Sequence, residues 1–278
     1  MPEIKFKIRA SAASQLLGKI GLTDKQQEKY DEYLSRTKAL TPTMQKEFNS
    51  LKYKKEHPEL PQGAKSYCEK WIKEVLYDRC KNFKNKFLDK GIACEPDSIL
   101  FAAKYYGWVD AKKNDEWFSD EWFEGTPDIL LYGYNEVIDM KNSYDAFSFP
   151  LFETEIPTEG YDTQLQVYCH LVEYDQGTLC YALMDAPLDI MKQEMRRLSW
   201  EQGQQGFIST ELYEQVKREM TYSNLPDDLR LVKFTVVRKP EVIELLKERV
   251  LMCREYIAKV INERPKIKLL WERLENAA

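Results

Sequence analysis

Two carboxylates and a lysine stand close together in the middle of the chain. Gly125-Thr-Pro-Asp128 is followed, ten residues on, by Asp139-Met-Lys141. The run Glu136 to Met140 reads as a β-strand, and residues two apart on a strand share a face. Asp139 and Lys141 therefore point the same way as Val137, while Ile138 and Met140 point the other way. Asp128 precedes the neighbouring strand, across a hairpin turn expected at Gly133 to Asn135. Charges set in so apolar a strand are costly unless they have partners. Hard carboxylate oxygens suit Mg²⁺ or Mn²⁺, and such ions take phosphate oxygens and water as further ligands. A lysine beside them can hold an attacking water or steady charge on a phosphate. The chemistry this spacing predicts is phosphodiester hydrolysis.

The flanking elements must position these groups. Ser11 to Ile20 carries a short apolar face and reads as a helix. Thr23 to Leu40 reads as a charge-rich helix, and Thr41-Pro42 as the cap and first position of another. From Ala64 to about Lys90, Tyr67, Trp71, Val75, Leu76, Cys80, Phe83 and Phe87 recur at helical spacing, predicting one long helix. Past Gly91, short aromatic and β-branched runs at Ile99 to Trp108, Trp117 to Phe123, Ile129 to Tyr134 and Glu136 to Met140 read as successive strands. Asp162 to Tyr174 returns to helical spacing, Thr178 to Met184 and Leu231 to Val237 read as strands, and Trp200 to Met220 and Pro240 to Leu274 as amphipathic helices. The order predicts an α/β fold with a mixed sheet.

The chain has 278 residues, 31% of them charged, and a net charge of −5. That length predicts one elaborated domain. No run of about 18 apolar residues and no apolar leader occurs, so a soluble, cytoplasmic protein with no membrane partner is expected. Six scattered cysteines form no C-x-x-C pair, and read as reduced thiols at packing positions. The acidic balance excludes a protein that coats nucleic acid by bulk charge, but not one that grips it locally. No G-x-x-x-x-G-K-[ST] motif is present, so no helicase motor is built in.

Taken together, Pro127-Asp128, Asp139-Met140-Lys141 and Gln164-Leu-Gln-Val-Tyr168 resemble the signatures of the PD-(D/E)xK nuclease superfamily. Within it the chain resembles the lambda-exonuclease/YqaJ branch, related to RecB and found in phages. Ile8-Arg-Ala-Ser11 and Gly63-Ala-Lys-Ser-Tyr-Cys-Glu69 resemble two further stretches of those enzymes. The resemblance implies a restriction-endonuclease-like core, a central mixed β-sheet flanked by helices. It spans the chain as a single nuclease domain, with a helical N-terminal part (1–62), the core (63–240) and a long C-terminal helix (241–278).

It further implies that Asp128 and Asp139 are metal ligands, Lys141 the catalytic lysine, and Gln164 an orienting or DNA-contacting residue supported by Tyr168. Glu69 becomes the additional acid, with Glu74 its competitor on the same helix. The cofactor implied is Mg²⁺ or Mn²⁺, as two ions. The activity implied is exonucleolytic hydrolysis of linear duplex DNA, 5′-to-3′, in phage-type recombination inside a bacterial host. A single-strand annealing protein and a ring-like, trimeric homo-oligomer are the partners implied besides DNA. A structure- or site-dependent endonuclease and a catalytically idle DNA- or protein-binding relative are the alternatives. Some branches of the superfamily, the AddB-type nucleases among them, hold an iron–sulfur cluster through one upstream and three clustered late cysteines; here Cys253 alone lies in the C-terminal region, so no cluster is expected.

Three other features have two readings each. Ser11 either caps a helix or, with Ser14, binds a phosphate at the helix N-terminus, with Lys5, Lys7 and Arg9 supplying local positive charge. Trp117, Phe118, Trp122 and Phe123, interleaved with acids, read better as packed strand residues than as a stacking surface for single strands. Two histidines, His57 and His170, lie far apart in sequence, and give a histidine-based mechanism little material.

Overall fold

The computed structural model describes residues 4–80 and 86–276. In chain order they form β1 (Ile8–Arg9), a 3₁₀ helix (Ala10–Leu16), α1 (Asp24–Ser35), α2 (Pro42–Glu56), α3 (Gln62–Tyr77), α4 (Lys86–Tyr106), β2 (Phe118–Ser119), β3 (Phe123–Gly125), β4 (Ile129–Leu131) and β5 (Glu136–Asn142). There follow α5 (Tyr161–Val172), β6 (Gln176–Ala182), α6 (Leu188–Glu201), α7 (Thr210–Glu219), β7 (Leu231–Val237), α8 (Pro240–Glu263) and α9 (Pro265–Glu275). The chain divides into two compact units: Met1–Ile8, Ala12–Lys81 and Glu241–Ala278 in one, Arg9–Ser11 and Asn82–Pro240 in the other.

The first unit is helical. Thr23 caps α1 reciprocally, its hydroxyl accepting from the Gln26 N–H while Gln26 accepts from the Thr23 N–H. Thr41 and Pro42 open α2 as their chemistry predicts. Leu22, Tyr33 and Leu51 bury one small core. Trp71 of α3 meets Trp271 of α9 at 5.9 Å between ring centroids. The expected 240–274 helix is broken at Arg264, because Pro265 has no N–H to continue it and starts α9 instead.

The second unit carries a four-stranded sheet in the order β4-β5-β6-β7. β4 and β5 pair antiparallel, β5 and β6 parallel, β6 and β7 antiparallel. The sheet is mixed, as expected; β7 has the expected bounds, β5 runs two residues past the expected Met140, and β6 lies two residues ahead of the expected 178–184. One face, with Ile129, Leu131, Ile138, Met140 and Cys180, packs against Ile99, Ala102 and Trp108. The other face packs Leu179, Tyr181 and Phe234 against Leu165 of α5. α5 can lie this close because of Gly177, whose added Cβ would stand 3.1 Å from the Cys169 sulfur and 3.2 Å from Leu165 Cβ. A second, smaller sheet has the order β1-β3-β2.

Other elements also differ from expectation. The long helix predicted from Ala64 to Lys90 ends at Tyr77, where Asp78 turns left-handed (φ 48°) and closes it with N–H bonds back to Glu74 and Val75. Phe83 lies outside the described residues. Ile99 to Trp108, expected as a strand, belongs to α4. Gly91, after which strands are expected, lies inside that helix together with Pro96, and the run is shared between a buried face (Ile99, Ala102) and exposed positions (Leu100, Tyr105). The helix expected over Trp200 to Met220 is two helices. Gly203, Gln205 and Gly206 all take positive φ between them, and the Ser209 hydroxyl caps the second.

Candidate active site

β5 delivers the central charges. Met140 and Ile138 point into the core beneath α4, so Asp139 and Lys141 emerge on the opposite face, toward α5. Lys141 Nζ lies 2.6 Å from Asp139 Oδ2 and 4.8 Å from the centroid of the Tyr161 ring. Asp139 is 2% exposed. Its Oδ1 accepts from Gln164 Nε2 at 3.0 Å, and the same amide nitrogen also faces the Tyr168 hydroxyl at 3.0 Å. Gln164 and Tyr168 are one helical turn apart on α5, which is why a Q-x-x-x-Y spacing puts both on the strand.

Asp128 sits across the hairpin, as its spacing predicts. Its Oδ2 accepts from the Met140 backbone N–H at 2.7 Å. Asn114 fixes the preceding turn, donating from its side chain to the Pro127 carbonyl (2.9 Å) and from its backbone to that of Asp128 (2.7 Å). Gly125 explains itself here. A Cβ on it would stand 2.9 Å from the Tyr168 ring and 3.1 Å from Ala10 Cβ, so only glycine lets β3 pass so close to α5.

These groups line one cleft of about 570 Å³, with Glu95, Asn142, Ser143, Tyr144, Asp145 and Ser148 among the other walls. Glu95, on α4, is the acid that sequence reasoning missed. It pairs with Lys113 at 3.2 Å, and its charge raises the proton affinity of both Asp128 and Asp139. A signal existed: Glu95 lies four and seven residues before the buried Ile99 and Ala102, an acid on an apolar helical stripe. Glu69 and Glu74, expected to complete the acids, belong to the first unit. There Glu69 accepts from the Tyr256 hydroxyl at 3.1 Å and lies 3.9 Å from Arg264, and Glu74 pairs with Lys70 at 3.5 Å. The acid that the second unit itself brings to the cleft is Glu95.

The electrostatics follow from crowding. Burial, then the like charge of Asp139, pushes Asp128 up to about 7, against the opposing pull of the Met140 N–H and Lys141. Burial also raises Asp139, which Lys141 partly offsets. Burial works against the Lys141 charge, yet contact with Asp139 outweighs it and holds the ammonium above the ordinary lysine range. Among the described residues, no three His, Cys, Asp or Glu side chains already form a cage for a metal ion. The donor set nevertheless fits a hard divalent cation. Asp139 Oδ2 is buried against the Lys141 ammonium, and two carboxylates with raised proton affinity are what a divalent charge relieves.

The outlying candidates take other places. Ser11 is exposed and stands inside the 3₁₀ helix that begins at Ala10, so it does not cap an α-helix. Ser14 is half-buried in the same 3₁₀ helix. Arg9 forms an ion pair with Glu124 at 3.6 Å. Phe123 is fully buried and Trp117 is 56% exposed; between them, Asp120 accepts from the backbone of Trp122 and Phe123 and pairs with His170 at 2.8 Å. This aromatic segment is a hairpin and its packing, with Trp117 outside it. Five of the six cysteines are buried.

No protein-family model and no curated protein matches the chain. Solved structures do. A phage-related exonuclease from Haemophilus somnus 129PT superposes with a TM-score of 0.64 at 22% identity, over 93% of this chain and 96% of that one. An alkaline exonuclease from Laribacter hongkongensis, solved alone and in complex with dAMP, gives 0.53 at 13% identity, over 98% and 95%. The chain has the fold of these exonucleases. The expected restriction-endonuclease-like α/β core is consistent with both likenesses. Among the described residues no helix is long and apolar enough to cross a membrane.

Proposed function

We propose that this chain is a metal-dependent DNA exonuclease that hydrolyses phosphodiester bonds from the ends of linear duplexes. The observation that carries the reading is the convergence of Asp128, Asp139, Glu95, Lys141 and Gln164 on one cleft. The fold shared with two exonucleases supports it. Asp128, Asp139 and Glu95 would hold Mg²⁺ or Mn²⁺, which when bound lowers the pKa of water and offsets phosphate charge. Lys141, kept protonated by the carboxylates, donates to the attacking water or to a phosphate oxygen. Gln164 fixes the Asp139 carboxylate, and Tyr168 fixes Gln164. Polarity from 5′ to 3′, and action beside a single-strand annealing protein in phage-type recombination, follow from the resemblance to lambda exonuclease.

The test is incubation of the purified chain with linear and with covalently closed circular duplex DNA, in Mg²⁺, Mn²⁺ or EDTA. Metal-dependent loss of the linear form alone is the expected result. Nicking of closed circles would make the chain an endonuclease, and no loss of either form would overturn the proposal.

A further inference from the structure

The loop that leaves the catalytic strand carries an aromatic ring in an unusual position. Phe147 is 100% exposed, although its neighbours in sequence, Tyr144, Asp145 and Ser148, line the cleft that holds the acids. Exposure of this kind normally goes with a mobile tip, but here the backbone is tied down on every side. Asp145 Oδ1 accepts from the N–H groups of Phe147 (3.1 Å) and Ser148 (2.8 Å). The Ser148 hydroxyl donates to the Asp145 carbonyl (3.0 Å) and accepts from the Asp145 N–H (3.1 Å). Just before the turn, the carbonyls of Ser143 and Tyr144 both accept from Lys90 Nζ, at 3.0 and 2.8 Å. That lysine is itself fully buried on α4.

The turn is thus fixed beside the cleft with its one large apolar side chain in water. The neighbouring cleft is suited to a phosphodiester, and the groups that flank a phosphodiester are nucleobases. Each presents an apolar π-face whatever its identity.

The geometry points to Phe147 as a base-stacking contact, which takes the face of one nucleobase beside the scissile phosphate and so registers the strand in the cleft. This rests on the nuclease reading and adds to it a specificity element outside the acid–lysine machinery. A ring that stacks without reading base edges makes the contact tolerant of sequence, as an enzyme moving along DNA requires.

A protein–DNA double-mutant cycle tests it. End-labelled duplexes with a normal base or a tetrahydrofuran abasic residue at each of the first three nucleotides from the end are titrated with the full chain in Ca²⁺. Binding is followed by fluorescence anisotropy, and degradation of the normal duplex in Mg²⁺ is measured in parallel. For the normal duplex, Phe147→Ala should weaken binding about tenfold, within the range expected for one stacked base. For the duplex abasic at one particular position, wild type and Phe147→Ala should bind alike. Phe147→Trp should restore tight binding of the normal duplex. Equal loss on normal and abasic duplexes, or no loss at all, would overturn the inference while wild-type degradation in Mg²⁺ leaves the nuclease reading standing. A wild-type chain that neither binds nor degrades the duplex would overturn both. Unchanged circular dichroism and melting temperature of Phe147→Ala identify the loss as stacking rather than misfolding; a lowered melting temperature would count against it.

Discussion

Asp128 shows how a single side chain ties stability to the proposed chemistry. Its pKa is 3.8 in an unperturbed chain and is pushed up to about 7 in the fold, first by burial and then by Asp139. As pH rises the unfolded chain therefore gives up this proton first, so the native state is the one that binds more protons. The stability that protonated Asp128 contributes is present below about pH 4 and is lost as pH climbs to about 7. The melting temperature of metal-free protein should fall across that window, and Asp128→Asn should flatten the fall. Mg²⁺ should raise the wild-type melting temperature more at pH 8 than at pH 5, because its carboxylate ligands are then ionised. Differential scanning calorimetry of the two proteins, with and without Mg²⁺, reads all three outcomes. Gln164→Ala removes the donor that fixes Asp139 Oδ1, and should lower metal affinity or turnover about 10- to 100-fold with the fold intact. Metal titration calorimetry and circular dichroism separate those effects.

At the scale of elements, the site depends on how closely α5, β3 and β5 approach. Gly125→Ala would set a Cβ 2.9 Å from the Tyr168 ring, and neither neighbour is a flexible side-chain end. Urea denaturation should show a loss of about 1–3 kcal/mol, with activity falling because Tyr168 and Gln164 move together. The same elements show what could be read from sequence alone. Asp139, Lys141 and Val137 were legible because strand alternation is local, and Gln164 with Tyr168 because their spacing is one helical turn. β7 was legible because its strand-like run is bounded by Arg230 on one side and Pro240 on the other. Glu95 was not, because Gly91 and Pro96 argue against a helix that packing on the sheet stabilises anyway. The end of α3 was hidden for the opposite reason: nothing local forbids the helix from continuing, and an aspartate in a left-handed turn stops it. The break between α8 and α9 was written in Pro265.

For the molecule as a whole, a net charge of −5 bears on how the proposed exonuclease would bind DNA. Part of the negative charge is the acid cluster itself, which on the proposed reading would meet phosphates through a divalent cation. The basic residues named from sequence are Lys5, Lys7, Arg9 and Lys141, and Arg9 already holds Glu124. A small number of neutralised phosphates predicts a slope of log K against log salt concentration shallower than for a highly basic DNA-binding protein. Fluorescence anisotropy over a salt series in Ca²⁺ should give that slope, and EDTA should remove most of the binding. The most direct test of the central claim is acid-soluble nucleotide release from linear duplex DNA in Mg²⁺, measured side by side for wild type and Lys141→Ala. Wild type should release nucleotide steadily and Lys141→Ala about 100- to 1,000-fold more slowly; equal rates in the two proteins would contradict the account.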